Sequence, residues 1–127
     1  MIESVPQEFW QGVEQFNAGE FYTCHDTLEA LWIEAAEPEK TFYQGILQIA
    51  VALYHLGNRN WRGAVILLGE GSYRLRRYPS VYSGIVVDEL LDQSAALLSI
   101  LQQTEPELLV TLDQDQALLL PRIARID

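Results

Sequence analysis

Basic residues are scarce in this chain: eight lysines and arginines stand against eighteen acids, for a formal net charge of −10. A nucleic-acid backbone demands clustered Lys and Arg, so the balance argues against DNA or RNA as a partner. Cysteine is nearly absent as well. Cys24 alone excludes an internal disulfide and fits a reducing, cytoplasmic setting. Long apolar runs are lacking, because the stretch Ile46 to Leu56 is broken by Gln48 and is too short to span a bilayer. The opening MIESVPQEFW has neither a basic n-region nor an apolar h-region, so no secretion signal is expected. No strand signal as strong as the helical periodicity appears before residue 104.

What is present suits a soluble helical domain. A chain of 127 residues is one domain by length and buries a core without staples. Charge is unevenly spread, with nine acids and no base from Met1 to Glu39, and Arg59, Arg62, Arg74, Arg76 and Arg77 in one later segment. Cations at a helix C-terminus suit its dipole, and that is the preferred account of Arg74, Arg76 and Arg77. The other account packs this basic segment beside the acidic first half.

Five helices are read in order. Pro6 opens the first, which carries Phe9, Trp10, Val13 and Phe16 at helical spacing. Asn17-Ala18-Gly19 ends it, Gly19 being the residue that turns the chain cheaply. The second carries Phe21, Cys24, Leu28 and Leu31 and stops before Pro38. The third runs from about Pro38 to Leu56 and ends at Gly57. Asn60 caps the fourth, with Trp61, Ala64, Leu67, Leu68 and Leu75, and Tyr78-Pro79-Ser80 stops it. The β-branched run Ile85-Val86-Val87 is expected to be an extended lead-in to a fifth helix over roughly Val87 to Gln103. The expected division is a helical domain over 1–103 and an irregular tail over 104–127, which packs on its own bundle or on a partner chain.

A shift of forty residues lays Val13 on Leu53, Phe16 on Leu56, Phe21 on Trp61, Cys24 on Ala64 and Leu28 on Leu68. Each unit is a helix, a turn near Gly19 or Gly57, and a helix opening with an aromatic three residues before a small one. Gly19-x-Phe21-x-x-Cys24 resembles the turn of tetratricopeptide hairpins. A small residue there lets two antiparallel helices approach closely. Two units fall short of the three or so that a free solenoid needs, so the fifth helix is expected to act as the cap.

The polar residues fall on the second and third helices. Tyr22, His25, Glu29 and Trp32 step by three and four and share one face; Gln44, Gln48 and His55 do likewise. With a turn centred between Ala36 and Glu37, positions level with each other sum to about 73. Glu29 then lies opposite Gln44, and His25 opposite Gln48. Asp26 points to a different face and is expected in solvent. His55 stands roughly 10 Å along the axis from Gln48, within reach of Asn17 or a turn carbonyl but badly placed to share a metal with His25.

Three roles compete for this cluster. One is a buried polar network that fixes the register of two helices. Another is a pocket for a small molecule or peptide. The third is a metal or catalytic site, for which His25 and Glu29 supply two ligands where a hydrolytic metal wants at least three. Glutamines are poor ligands for transition metals, and the Glu-x-x-His pair of di-iron bundles is missing. His25 held by Glu29 suits acid–base work, yet no nucleophile or oxyanion donor can be named beside it. Cys24 projects onto the core stripe, as an inert core thiol does.

The motifs together resemble a known family. Phe16, Asn17 and Gly19, then His25, Asp26, Glu29 and Trp32, then Gln44, Gly45, Gln48, Tyr54 and His55, then Gly63 and Ala64 are similar to the small bacterial and archaeal proteins called domain of unknown function 309. The resemblance covers about residues 10 to 103. It implies an all-helical fold and no established activity. Cys24 departs from the pattern, which expects an acid or another residue before the histidine. The reading is an all-α bundle of five helices in antiparallel hairpins, tetratricopeptide-like. As function it is a non-enzymatic binding or scaffold module with its site at His25, Glu29, Gln44, Gln48, Tyr22, Trp32 and His55. No cofactor is expected. The partner is an unknown protein or small molecule, with a homodimer left open. The alternative is a small metal-dependent hydrolase using His25 and Glu29.

Overall fold

The computed structural model describes residues 5–108 and 119–126. Five α-helices account for most of them: α1 Gln7–Asn17, α2 Phe21–Glu34, α3 Glu39–Gly57, α4 Trp61–Leu75 and α5 Val87–Gln102. The all-α bundle expected from periodicity is the observed fold. Each helix packs on the next in chain order, from α1 on α2 to α4 on α5. The short connections that join α1 through α4 favour antiparallel neighbours.

The tightest seam lies between α3 and α4. A Cβ on Gly71 would stand 2.7 Å from the Gly45 carbonyl oxygen and 2.8 Å from an Ile49 side-chain carbon. One on Gly45 would meet Leu75 at 2.8 Å. Only glycine at both positions lets the two backbones touch. Around this seam Phe42, Ile46, Ile49, Ala50, Leu68 and Leu75 are wholly buried.

The forty-residue repeat is present in the backbone. Gly19 has φ 80° and its counterpart Arg59 has φ 60°, both left-handed. Gly57, expected to turn the second unit, is instead the last residue of α3, and Arg59 takes the left-handed position. The turn hydrogen bonds recur one for one. Glu20 N–H donates to the Gln15 carbonyl at 2.9 Å, and Asn60 N–H to the His55 carbonyl at 2.8 Å. Cys24 donates to Glu20 at 2.9 Å, and Ala64 to Asn60 at 3.0 Å. Cys24 and Ala64 are both buried, where a larger side chain would push the hairpins apart. Asn60 is the expected cap: its Oδ1 accepts from Gly63 N–H at 3.0 Å.

Between α4 and α5 the expected lead-in is a small hairpin. Strand β1, Val81–Tyr82, pairs antiparallel with β2, Ile85–Val86, around Ser83 and Gly84, both with positive φ. Tyr78 and Tyr82 anchor it. Their rings lie 5.2 and 4.8 Å from Phe42, and their hydroxyls donate to the Pro38 carbonyl at 2.6 Å and to Glu39 at 2.8 Å.

Of the tail, residues 109–118 and 127 lie outside the described residues. Residues 124–126 run antiparallel beside β2, through an isolated bridge between Arg125 and Ile85. Val86 N–H donates to the Ala124 carbonyl, and Ile126 N–H to the Gly84 carbonyl, both at 2.9 Å. Asn17 grips the same segment. Its Nδ2 donates to the Ile123 carbonyl at 2.9 Å and its Oδ1 accepts from Ile123 N–H at 2.8 Å. Ile123 is buried, and the Arg125 guanidinium stacks 3.9 Å above the Trp10 ring.

Two outcomes are expected from these contacts. Gly19→Ala forces a Cβ into a left-handed turn and should cost about 1 kcal/mol or more; an unchanged urea midpoint would show that the turn tolerates it. Asn17→Ala leaves both Ile123 backbone groups without their partner, at about 1–3 kcal/mol. The Ile123 amide should then exchange with solvent much faster, and unaltered protection would remove Asn17 as the clamp.

Candidate functional site

The polar row of α2 meets α3, but at other residues than the level relation names. Tyr22 packs on Tyr54 with ring centroids 5.3 Å apart. His25 shares a cleft with Val51, Tyr54 and His55. Near the turn, Lys40 Nζ sits 4.5 Å over the Trp32 ring and donates to the Trp32 carbonyl at 2.7 Å, which places a cation at the C-terminus of α2. Trp32 thus belongs to the turn rather than to the cleft.

Gln48 faces the other way. Its Oε1 accepts from Arg74 at 3.1 Å and its Nε2 donates to Glu70 at 3.3 Å, both on α4. Among the described residues neither Gln44 nor Gln48 hydrogen-bonds His25 or Glu29, which corrects the expected pairing. Axial level and rotation are separate quantities. Val51 lies one short step beyond Gln48 along the axis, about 4.5 Å, but about 60° around it. The Gly45 seam turns Gln48 toward α4 and leaves Val51 to meet His25.

His25 and Glu29 do stand together, with Nε2 and Oε2 3.7 Å apart and Glu29 half exposed. Asp26, expected apart, also approaches: its Oδ1 is 3.3 Å from His25 Nδ1. That nitrogen is buried and makes no hydrogen bond. The two observations agree once direction is considered, since the carboxylate lies near the nitrogen but off its bonding line. The Asp26 side chain remains 60% exposed.

His55 is bonded neither to Asn17, which holds the C-terminal segment, nor to a turn carbonyl. Its Nδ1 lies 3.3 Å from Asn60 Nδ2. Because Asn60 Oδ1 is taken by Gly63 N–H, the amide presents its donor to the imidazole. The acceptor role there suits the imidazole tautomer with its N–H on Nε2. Gly63 makes room for this contact: a Cβ there would stand 2.9 Å from the His55 ring and 2.7 Å from Asn60 Nδ2.

These placements form one open cleft of about 200 Å³, lined by Tyr22, His25, Val51, Tyr54 and His55, with an almost wholly apolar surface. Four aromatic rings and Val51 make up its walls. Among the described residues no three His, Cys, Asp or Glu side chains converge as a metal site would need. Val51 and Tyr54 lay outside the sequence-based site. Their spacing of three, one turn from Leu47, is the signal that marks this second stripe of α3. Cys24 sits on the opposite, core side of α2 and is fully buried.

The class of protein is now defined: an all-α bundle with a shallow aromatic cleft on its first two hairpins. Residues 9–67 match the family described as Domain of unknown function (DUF309). The similarity drawn from the motifs is thus shown, over a shorter span than the expected 10–103, since the end of α4, the hairpin and α5 fall beyond it. The chain is also 34% identical over 65 residues to the protein described as uncharacterized protein YpuF of Bacillus subtilis (strain 168). That stretch is 50% of this chain and 37% of the relative, so it spans little more than a third of that protein. All five cleft residues lie inside the family match.

Burial pushes the Cys24 thiol from its ordinary value of 9.0 up to about 12. The folded chain keeps this proton where the unfolded chain loses it, so stability should fall as pH rises from about 9 to about 12. Cys24→Ala should flatten that part of the pH profile, and at pH 8 a thiol reagent should label the wild type only on unfolding. Rapid labelling of the native chain would contradict the inert core thiol.

Proposed function

We propose that the chain is a non-enzymatic binding module whose ligand site is the cleft between α2 and α3. The observation that carries this is the exposure of the cleft aromatics. Tyr22 is 57% exposed and Tyr54 38% exposed, although the core would bury either. Clefts with apolar walls and a few convergent polar groups are where ligands bind. The polar residues beside these walls are His25, His55 and Glu29; Gln44 and Gln48 drop out of the proposed site and Val51 and Tyr54 enter it. The doubled hairpin turn supports a tetratricopeptide-like scaffold around the cleft. A free buried thiol and the acidic charge suit a cytoplasmic protein that binds a small molecule or a protein side chain.

The test is a fragment titration followed through the His25 and His55 imidazole and the Tyr22 and Tyr54 ring signals. At least one fragment should shift His25 and His55 together. Val51→Trp, which fills the cleft by adding an apolar group at a partly buried position on its wall, should abolish those shifts without lowering the melting midpoint. If no fragment moves the four rings, or if Val51→Trp still responds, the cleft is not the site.

A further inference from the structure

The rings of the cleft follow one another as a chain of inclined plates. Tyr22 stands 5.7 Å from His25 at 53°, Tyr22 stands 5.3 Å from Tyr54 at 60°, and Tyr54 stands 6.0 Å from His55 at 51°. No pair is parallel, and all four rings line the same cleft. Val51 closes its floor. Four aromatic rings around one cleft offer π-systems to a cation that enters.

Charge points the same way. Among the described residues no Lys or Arg lines the cleft. Glu29 and Asp26 flank His25 at its two nitrogens, 3.7 and 3.3 Å away. They belong to a segment, Met1 to Glu39, with nine acids and no base. His55, beside Asn60, adds a further ring. Anions are disfavoured by this field, and a strongly hydrated metal ion finds too few donors. An apolar lining also gives little to a bare ammonium, whose three N–H groups each need an acceptor.

We infer that the cleft is an aromatic cage for an alkylated ammonium group, a cation whose charge is clothed in methyl groups. Such a group gains from ring faces by cation–π attraction, and needs no hydrogen-bond acceptors. Its methyls bury against Val51 and the rings while Glu29 and Asp26 supply long-range attraction. The inference rests on the cleft being the ligand site and adds the chemical class of what it holds. The same chemistry comes from two sources, a free quaternary amine or the side chain of a methylated lysine on a partner.

The experiment titrates the full chain with four probes while following the four ring signals. They are tetramethylammonium, an N-acetylated trimethyl-lysine methylamide, its unmethylated lysine counterpart, and a neutral tert-butyl alcohol isostere of the cation. The quaternary probes should bind about three- to thirtyfold more tightly than the neutral isostere. Tyr22→Phe should keep that preference and Tyr22→Leu should lose it, although neither changes the charge of the chain. A tighter trimethyl-lysine than tetramethylammonium assigns the group to a protein side chain, and equal affinities assign it to a free amine. If the neutral isostere or unmethylated lysine binds as well as the quaternary probes, the cage is overturned and the cleft reading stands. If the preference survives Tyr22→Leu, the cage is overturned too. If none of the four probes moves any ring, and the broader fragment set also fails, both readings fall.

Discussion

The contact of α3 with α4 at Gly45 and Gly71 is the constraint from which the rest of the bundle follows. With a Cβ on Gly71 only 2.7 Å from a backbone oxygen, no larger residue fits without moving a whole helix. Close packing of this kind fixes rotation as well as distance, because dense interiors do not deform continuously. Turned by the seam, α3 sends Gln48 to Glu70 and Arg74. It leaves Val51 and Tyr54, about 240° and 180° around from Gly45 at 100° per residue, to face α2. The cleft is what that rotation leaves open.

The second hairpin turn links this scaffold to the cleft. Its polar residue, Asn60, does two things with one amide: the oxygen caps α4 through Gly63, and the nitrogen fixes the His55 ring. The first turn has the same backbone and hydrogen bonds, with Glu20 in that place, and no side-chain cap on α2. Instead, the residue that ends α1, Asn17, turns outward and holds Ile123. One recurring turn geometry therefore serves two ends: in the first unit it secures the C-terminal segment, in the second it positions an imidazole.

Burial sorts the ionisable groups in the same way. Cys24 lies on the core side of α2, where desolvation keeps its thiol protonated up to about 12. One residue on, His25 is turned outward among rings and carboxylates. Tyr78 and Tyr82 are raised above the ordinary phenol range, first by burial and then by the acids near them, Glu37 for Tyr78 and Glu39 for Tyr82. Glu37 lies below the usual carboxylate range because Thr41 donates to it from both hydroxyl and backbone. These are the features of a settled scaffold. Tyr22 and Tyr54 of the cleft stand apart from it by remaining exposed.

How much of this was legible in the chain depends on the distance over which each feature is decided. Helix limits, the Asn60 cap, the left-handed Gly19 and the forty-residue repeat arise within a few residues, from periodicity, capping chemistry and backbone sterics, and the sequence carries them plainly. The similarity to the family came from local motifs for the same reason. The facing of helices is another matter. Levels along a hairpin follow from counting residues, but rotation depends on a glycine seam against a third helix, so Gln48 was placed opposite His25 when Val51 belonged there. Asp26 near His25, the exchange of Asn17 for Asn60 beside His55, and the grip on Ile123 also join elements far apart in the chain. The sequence by itself determined which segments are helical and which residues are polar on them. Only the tertiary structure decided which of those residues meet, because packing three helices against one another fixes a rotation that no single helix encodes.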